Sequence, residues 1–203
     1  MSRVMVSVPT MDGMIKSACS QSLCNLDWGY DEVVYSHVTG YDCAAARTEM
    51  AKRAIAGGFG FILMIDSDMI VPPDALINLR ECDANIAIGF AVRGSSDNGT
   101  TSVIPMGAGG YGGGYSIDDF ARLRQDGCCK IEVKGGGLAC ALIRTDVFSR
   151  IAEPWFRFSQ NPNGSYLGED YWFCQQCRAA GMKIYADTRV GCGHIHDRVL
   201  EAL

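Results

Sequence analysis

Hydrophobic and polar positions along this chain alternate in two rhythms, short apolar runs that suit strands and three-to-four-spaced sets that suit helices. Residues 3–8 form a short buried run stopped by Pro9, and residues 31–37 form a second strand candidate. Asp42 reads as the N-cap of a helix reaching about Ala56, with Ala46, Met50 and Ala54 at helical spacing and Gly57-Gly58 as its stop. Residues 59–65 are almost continuously apolar, as expected of a central strand covered on both faces, and the run ends abruptly at Asp66-Ser67-Asp68. Pro72-Pro73 leads into a short helix from Asp74 to about Glu81, and residues 85–92 read as the next strand. Residues 94–116, rich in Gly and Ser, predict a long mobile loop. Strands are expected at 130–133 and 138–143 around the Gly135-Gly136-Gly137 turn, then a helical turn capped by Thr145 and reaching Ile151. A helix over 169–180, stopped by Gly181, precedes a late strand at 182–185. Alternating strands and helices predict an α/β domain, and with no internal repeat or linker residues 1–203 read as one domain.

Composition narrows the function classes. The chain has 203 residues, 48% of them hydrophobic and 20% charged, which is enough apolar material for a core. The formal net charge is -5 and no Lys/Arg run stands out, so the electrostatic footprint of a nucleic-acid binder is missing. No apolar run approaches the roughly 18 residues of a transmembrane helix. Ten cysteines are scattered through apolar stretches and no signal segment opens the chain, which predicts a reduced, cytoplasmic protein using thiols as small hydrophobes. Cys174-x-x-Cys177 alone has ligand-like spacing, a weak signal for zinc or redox chemistry on a helix face that looks buried.

The chemistry concentrates where the apolar run breaks. Residues i and i+2 of a strand point to the same side, and ligands of open α/β sheets gather at the carboxyl ends of strands. Asp66 and Asp68 thus place two like charges where a site is expected, and a divalent cation with oxygen ligands, Mg²⁺ or Mn²⁺, would relieve their repulsion. The bland alternative is a turn in which both aspartates bond locally to backbone.

The segment from Phe61 through Asp66-Ser67-Asp68 to Pro72-Pro73-Asp74 resembles the metal-binding segment of GT-A glycosyltransferases of the family-2 type, which includes small soluble bacterial and phage enzymes. The resemblance extends along most of the chain. Residues 6–10 are similar to that family's first strand and nucleotide loop, and Ala44-Ala45-Ala46-Arg47 to its arginine segment. Residues 135–144 resemble the acceptor-side floor, Tyr166-Leu167-Gly168-Glu169-Asp170 the motif opening the catalytic helix, and Gly193-His194 the place where a histidine often completes the metal shell.

What this implies is a GT-A fold with a mostly parallel central sheet between helices. It also implies transfer of a sugar from a nucleotide donor, most readily a UDP-sugar, to an acceptor hydroxyl. Asp68 becomes the principal metal ligand, Asp66 bridges to sugar or metal, and His194 is the third ligand with His196 as runner-up. Asp170 is the general base with Glu169 as the alternative, although acidic residues also favour the first turn of any helix. Thr10, Asp12, Asp42, Arg47 and Ser67 fall to the donor; Asp42 is equally explained as a helix cap, and Arg47 as a surface residue. Gly136 and Trp155 fall to the acceptor, with core packing as the competing account of Trp155 beside Phe156.

Rival readings are thinner. Residues 107–112 match G-x-G-x-x-G, but mid-chain within a glycine-rich stretch rather than in a first strand–turn–helix unit, so they read as loop or lid. A nucleotidyltransferase of related fold would carry a glycine-rich basic loop after the first strand, and residues 9–16 hold one Gly and one Lys. A non-catalytic nucleotide-sugar-binding module would have no need of Asp66, Asp68, Asp170 and His194 together. Sequence leaves the acceptor, the donor sugar and the stereochemical outcome open.

Overall fold

The computed structural model describes residues 2–29, 31–92, 99–108, 113–161 and 164–195. In chain order the first half holds β1 (Arg3–Thr10), α1 (Ser17–Cys24), β2 (Glu32–Thr39), α2 (Cys43–Ala56), β3 (Phe61–Ile65), β4 (Met69–Ile70), α3 (Ala75–Glu81) and β5 (Ile86–Ala91). The second half holds β6 (Ile104–Pro105), α4 (Ile117–Gln125), β7 (Lys130–Gly135), β8 (Cys140–Arg144), a 3-10 turn (Thr145–Ser149), β9 (Ser159–Gln160), β10 (Tyr166–Leu167), α5 (Glu169–Ala179) and β11 (Ile184–His194). Among these residues no helix is long and apolar enough to cross a membrane.

Nine strands form one mixed sheet in the order β2-β1-β3-β8-β5-β11-β7-β6, with β4 added against β11. β1 is parallel to β2 and β3, and β5 is parallel to β11; β8 runs antiparallel between β3 and β5. The apolar run of β3 explains its central place. Ile62 and Met64 pack on one side with Met50, Ala51 and Ala54 of α2 and Phe173, Cys174 and Cys177 of α5. Phe61, Leu63 and Ile65 pack on the other with Cys19 and Leu23 of α1 and Leu76 and Leu79 of α3. Alternate side chains thus enter separate cores, so every residue of the strand must be apolar, and each fully buried one contributes roughly 1.5–3 kcal/mol.

Four departures from the sequence reading have local reasons. Residues 94–116 are not simply a loop. Of its described part, Thr101, Val103 and Ile104 are fully buried and Ile104–Pro105 pairs with β7, whereas residues 93–98 and 109–112, with most of the G-x-G-x-x-G match, lie outside the described residues. Helix α4 follows at once, and its start was legible: Ser116 and Asp119 form a reciprocal capping box. Helix α1 has eight residues and no side-chain cap, so its weak pattern escaped notice. The late strand at 182–185 extends to His194, with a register shift between Ala186 and Gly191, because Arg189 binds both oxygens of fully buried Asp187 and holds the strand together there. That extension delivers His194 to the site.

Candidate active site

Three segments meet beyond the carboxyl end of β3. The first is the Asp66–Asp68 turn, closed by the Met69 amide donating to the Asp66 carbonyl at 3.1 Å. It is fixed from outside as well: the Asp66 amide donates to the Ala139 carbonyl at 3.0 Å and the Lys16 amide to the Ser67 carbonyl at 3.1 Å. The loop after β1 is thereby stitched to the turn, and Ser67 is half-buried between them.

The second segment is the end of β11, which pairs His194 with Met69 and Gly193 with Ile70. His194 Nε2 lies 3.2 Å from Asp68 Oδ2, and its Nδ1 lies 3.2 Å from the Val92 carbonyl oxygen. Both neighbours are acceptors. A neutral imidazole has one N–H, so it can donate to only one of them; the other contact needs an extra proton or a cation shared with the carboxylate. With Nδ1–H donating to the carbonyl, Nε2 presents its lone pair beside Asp68, the arrangement in which a backbone carbonyl orients a metal-binding histidine. Two neighbouring ligands of an octahedral Mg²⁺ or Mn²⁺, each at about 2.1 Å, stand about 3 Å apart, close to the observed separation. Asp68 and His194 therefore fit as a two-ligand seat. Among the described residues no third His, Cys, Asp or Glu completes a metal-holding group, and His196 lies outside them.

Asp66, expected to share that cation, is engaged elsewhere. Arg47 Nη2 donates to Asp66 Oδ1 at 2.9 Å and to Oδ2 at 3.3 Å, its Nε to Glu169 Oε1 at 3.3 Å, and its Nη1 to the Leu138 carbonyl at 3.2 Å. Arg47 is buried, so it is neither a surface residue nor a free diphosphate clamp. Burial opposes its charge, and the carboxylates of Asp66, Glu169 and Asp170 more than restore it, holding the guanidinium firmly protonated. The guanidinium fork joins the Asp66–Asp68 turn to the start of α5.

That start is the third segment. Gly168 is the N-cap of α5, Glu169 is buried on Arg47, and Asp170 is half-buried with Oδ1 accepting from the Tyr171 amide at 2.7 Å. Desolvation and the adjacent Glu169 raise the Asp170 pKa to about 6, against the opposing pull of Arg47. The two carboxylates thus divide: Glu169 is held in an ion pair, and Asp170 keeps a raised pKa.

No model of a known protein family matches the sequence, and no curated protein matches it. Solved structures do match. The crystal structure of A197 from STIV superposes with a TM-score of 0.64 at 15% identity, covering 96% of this chain and 86% of that one. The crystal structure of GalNAc-T7 with UDP, GalNAc and Mn²⁺ superposes with a TM-score of 0.55 at 12% identity, covering 96% of this chain and 44% of that one. The chain adopts a GT-A fold.

Within this GT-A fold the remaining candidates separate. Thr10 is buried and shares a 3.0 Å hydroxyl contact with Thr39, whereas Asp12 is exposed on the rim with Oδ1 accepting from the Met14 amide. Asp42 caps α2 by accepting from the Ala45 amide at 2.8 Å, as its alternative reading held, and stays exposed. Two acceptor assignments need correction. Trp155 is 7% exposed and packs on Phe148 with ring centroids 5.0 Å apart, so its faces are spent in the core. A Cβ on Gly136 would fall 2.5 Å from Ile88 Cδ1, so Gly136 is glycine for close packing over the sheet. Gly137 is the one that faces the site: its missing Cβ would stand 2.9 Å from Ser102 Oγ and 3.5 Å from Asp170 Oδ2. Ser102 escaped the sequence reading because it lies in the stretch read as loop, as did Tyr171, whose hydroxyl donates to the Ser102 carbonyl at 2.8 Å.

The cysteine pair also resolves. Cys174 and Cys177 are fully buried in an apolar cluster, burial pushes both thiols up (Cys174 to about 12), and Cys174 Sγ donates to the Gly136 carbonyl at 3.7 Å. They are packing groups that hold the glycine segment down, not thiolate ligands.

Proposed function

We propose that this protein is a divalent-metal-dependent glycosyltransferase that moves a sugar from a nucleoside diphosphate donor, most readily a UDP-sugar, to an acceptor hydroxyl. The observation that carries the reading is His194 held between two acceptors, Asp68 Oδ2 and the Val92 carbonyl, and the Asp170 carboxyl raised to about 6 supports it. Its support from outside is the likeness in fold to GalNAc-T7, whose structure contains UDP, GalNAc and Mn²⁺.

In this account Asp68 and His194 would hold Mn²⁺ or Mg²⁺, which when bound would neutralise the diphosphate and stabilise the charge that builds on it as it leaves. Arg47 turns Asp66 away from that seat and fixes its carboxylate at the donor side, where it accepts from a sugar or ribose hydroxyl. Asp12, Ser67 and Thr10 are assigned to the nucleotide; Asp42 caps α2 and lines the neighbouring cleft. Glu169 anchors the start of α5 through Arg47, so that Asp170 points over Gly137 at a fixed height. Asp170 takes the acceptor proton as the acceptor oxygen bonds to the anomeric carbon and the bond from that carbon to the phosphate oxygen breaks, its electron pair leaving with the diphosphate. A single displacement of this kind inverts the anomeric centre, which NMR of the product reads directly.

Asp170 makes the reading testable. Its folded-state pKa is raised, so the protonated form is favoured by folding. Stability from this group is present below the ordinary value of 3.8, falls as pH rises to about 6, and is absent above it. A shift of this size is worth on the order of 2–3 kcal/mol. Asp170→Asn is therefore expected to raise the melting temperature at pH 8 but not at pH 4, to leave UDP uptake unchanged, and to lower transfer by about 100-fold or more. The wild-type kcat/KM should fall on the acid side with a pKa near 6, and the variant's residual rate should lose that limb. Wild-type transfer by Asp170→Asn would remove the base from this residue, and donor uptake without turnover at any acceptor would favour a binding module.

A further inference from the structure

A cleft of about 570 Å³ runs between the outer face of α2 and the segment Phe156–Arg157–Phe158. Its walls include Tyr41, Asp42, Glu49, Lys52, Arg157 and Phe158. Tyr41 is 45% exposed and Phe158 44% exposed, although large aromatic side chains normally find cover. A third ring extends the surface: Tyr166, 69% exposed, stacks on Phe158 with centroids 5.7 Å apart and planes at 25°.

The neighbours of these rings pack against α5. Phe156 stacks on Phe173 of α5 at 4.7 Å, the Arg157 guanidinium lies 3.9 Å over the Trp172 ring, and β9 pairs with β10 so that Tyr166 stands opposite Gln160. Chain continuity places it beside the chemistry: Tyr166 and Leu167 form β10, Gly168 caps α5, and Glu169 and Asp170 follow. At the opposite wall Asp42 begins α2, whose Arg47 reaches Asp66.

The combination of rings and charges selects among occupants. Two carboxylates, Asp42 and Glu49, face two cations, Lys52 and Arg157, so the lining offers no net charge to a polyanion. Among the described residues, Lys52 pairs with Glu153 at 3.4 Å and Glu49 with Arg53 at 2.8 Å, exposed ion pairs that are worth little and exchange readily for hydroxyls. A pyranose matches this surface: one face is a sheet of C–H bonds that packs on an aromatic ring, and its edge is a row of hydroxyls that bond to carboxylate and ammonium groups.

Resting on the glycosyltransferase reading, we propose that this cleft is the acceptor subsite and that the acceptor is a neutral oligosaccharide, lying with its sugar rings on Phe158, Tyr166 and Tyr41 and its reacting end toward Asp170. The test uses the full-length protein with Mn²⁺ and UDP on a broad immobilised array of neutral glycans, followed by titration of the best glycan into wild type, Phe158→Ala and Tyr166→Ala. Both side chains are exposed, so folding survives, and melts confirm it. At least one neutral glycan is expected to bind, each substitution to weaken it by about tenfold or more, and UDP uptake to stay unchanged. No glycan binding by wild type, or equal binding by both variants, overturns the proposal, as does Phe158-dependent binding to anionic lipid vesicles in place of glycans. Failure of the two readings is distinguishable: UDP uptake without glycan binding sinks the cleft alone, and glycan binding without UDP uptake sinks the donor site.

Discussion

Arg47→Met is expected to lower folding stability by about 3–5 kcal/mol, because it leaves two carboxylates facing each other with their shared cation gone. Arg47 is 4% exposed, and its donors reach Asp66, Glu169 and the Leu138 carbonyl. Methionine fills most of the volume, so the loss reports charge rather than a cavity. Urea unfolding followed by circular dichroism checks the size. The same substitution in an Asp66→Asn, Glu169→Gln background should cost far less, since no uncompensated charge then remains. A cost that persists in that background would mean that Arg47 acts mainly through packing.

The second large effect falls on function rather than folding. Asp68→Ala is expected to reduce metal-dependent transfer, and donor hydrolysis without acceptor, by about 100-fold or more. Stability should change by less than about 1 kcal/mol, because Asp68 is partly exposed and its carboxylate pairs with the half-buried His194 ring. Asp66→Ala makes the useful contrast. It removes a partner of buried Arg47, so it should lower stability as well as activity. If the two variants behave alike in melts, the division of labour between the aspartates is wrong.

Much of this was legible in the residues. Asp66 and Asp68 announce themselves as charges ending an apolar strand, and Asp42, at the start of an alanine-rich helix, caps it as sequence suggested. The arginine's partners were not legible. Nothing local ties Arg47 to Glu169, 122 positions away, and only the packing of α2 beside α5 brings them together. His194 was found by resemblance, but its carbonyl partner depends on β11 running far past the apolar residues at its start. Trp155 and Gly136 misled for one reason: a large ring and a glycine near a site are read as contacts with ligand, when each serves close packing. Ser102 stayed hidden because Gly-rich composition masked a segment that is buried through Thr101, Val103 and Ile104, and the partner of Tyr171 stayed hidden because it lies 69 positions away in that segment.

The proposed reaction needs a cation seated by Asp68 and His194 that grips a nucleoside diphosphate. Isothermal titration of UDP into the wild-type protein, with Mn²⁺ and then with chelator, tests it most directly. Manganese should tighten UDP by about tenfold or more, and the gain should vanish in His194→Ala. Equal UDP affinity with and without manganese, or a gain that survives in His194→Ala, would contradict it.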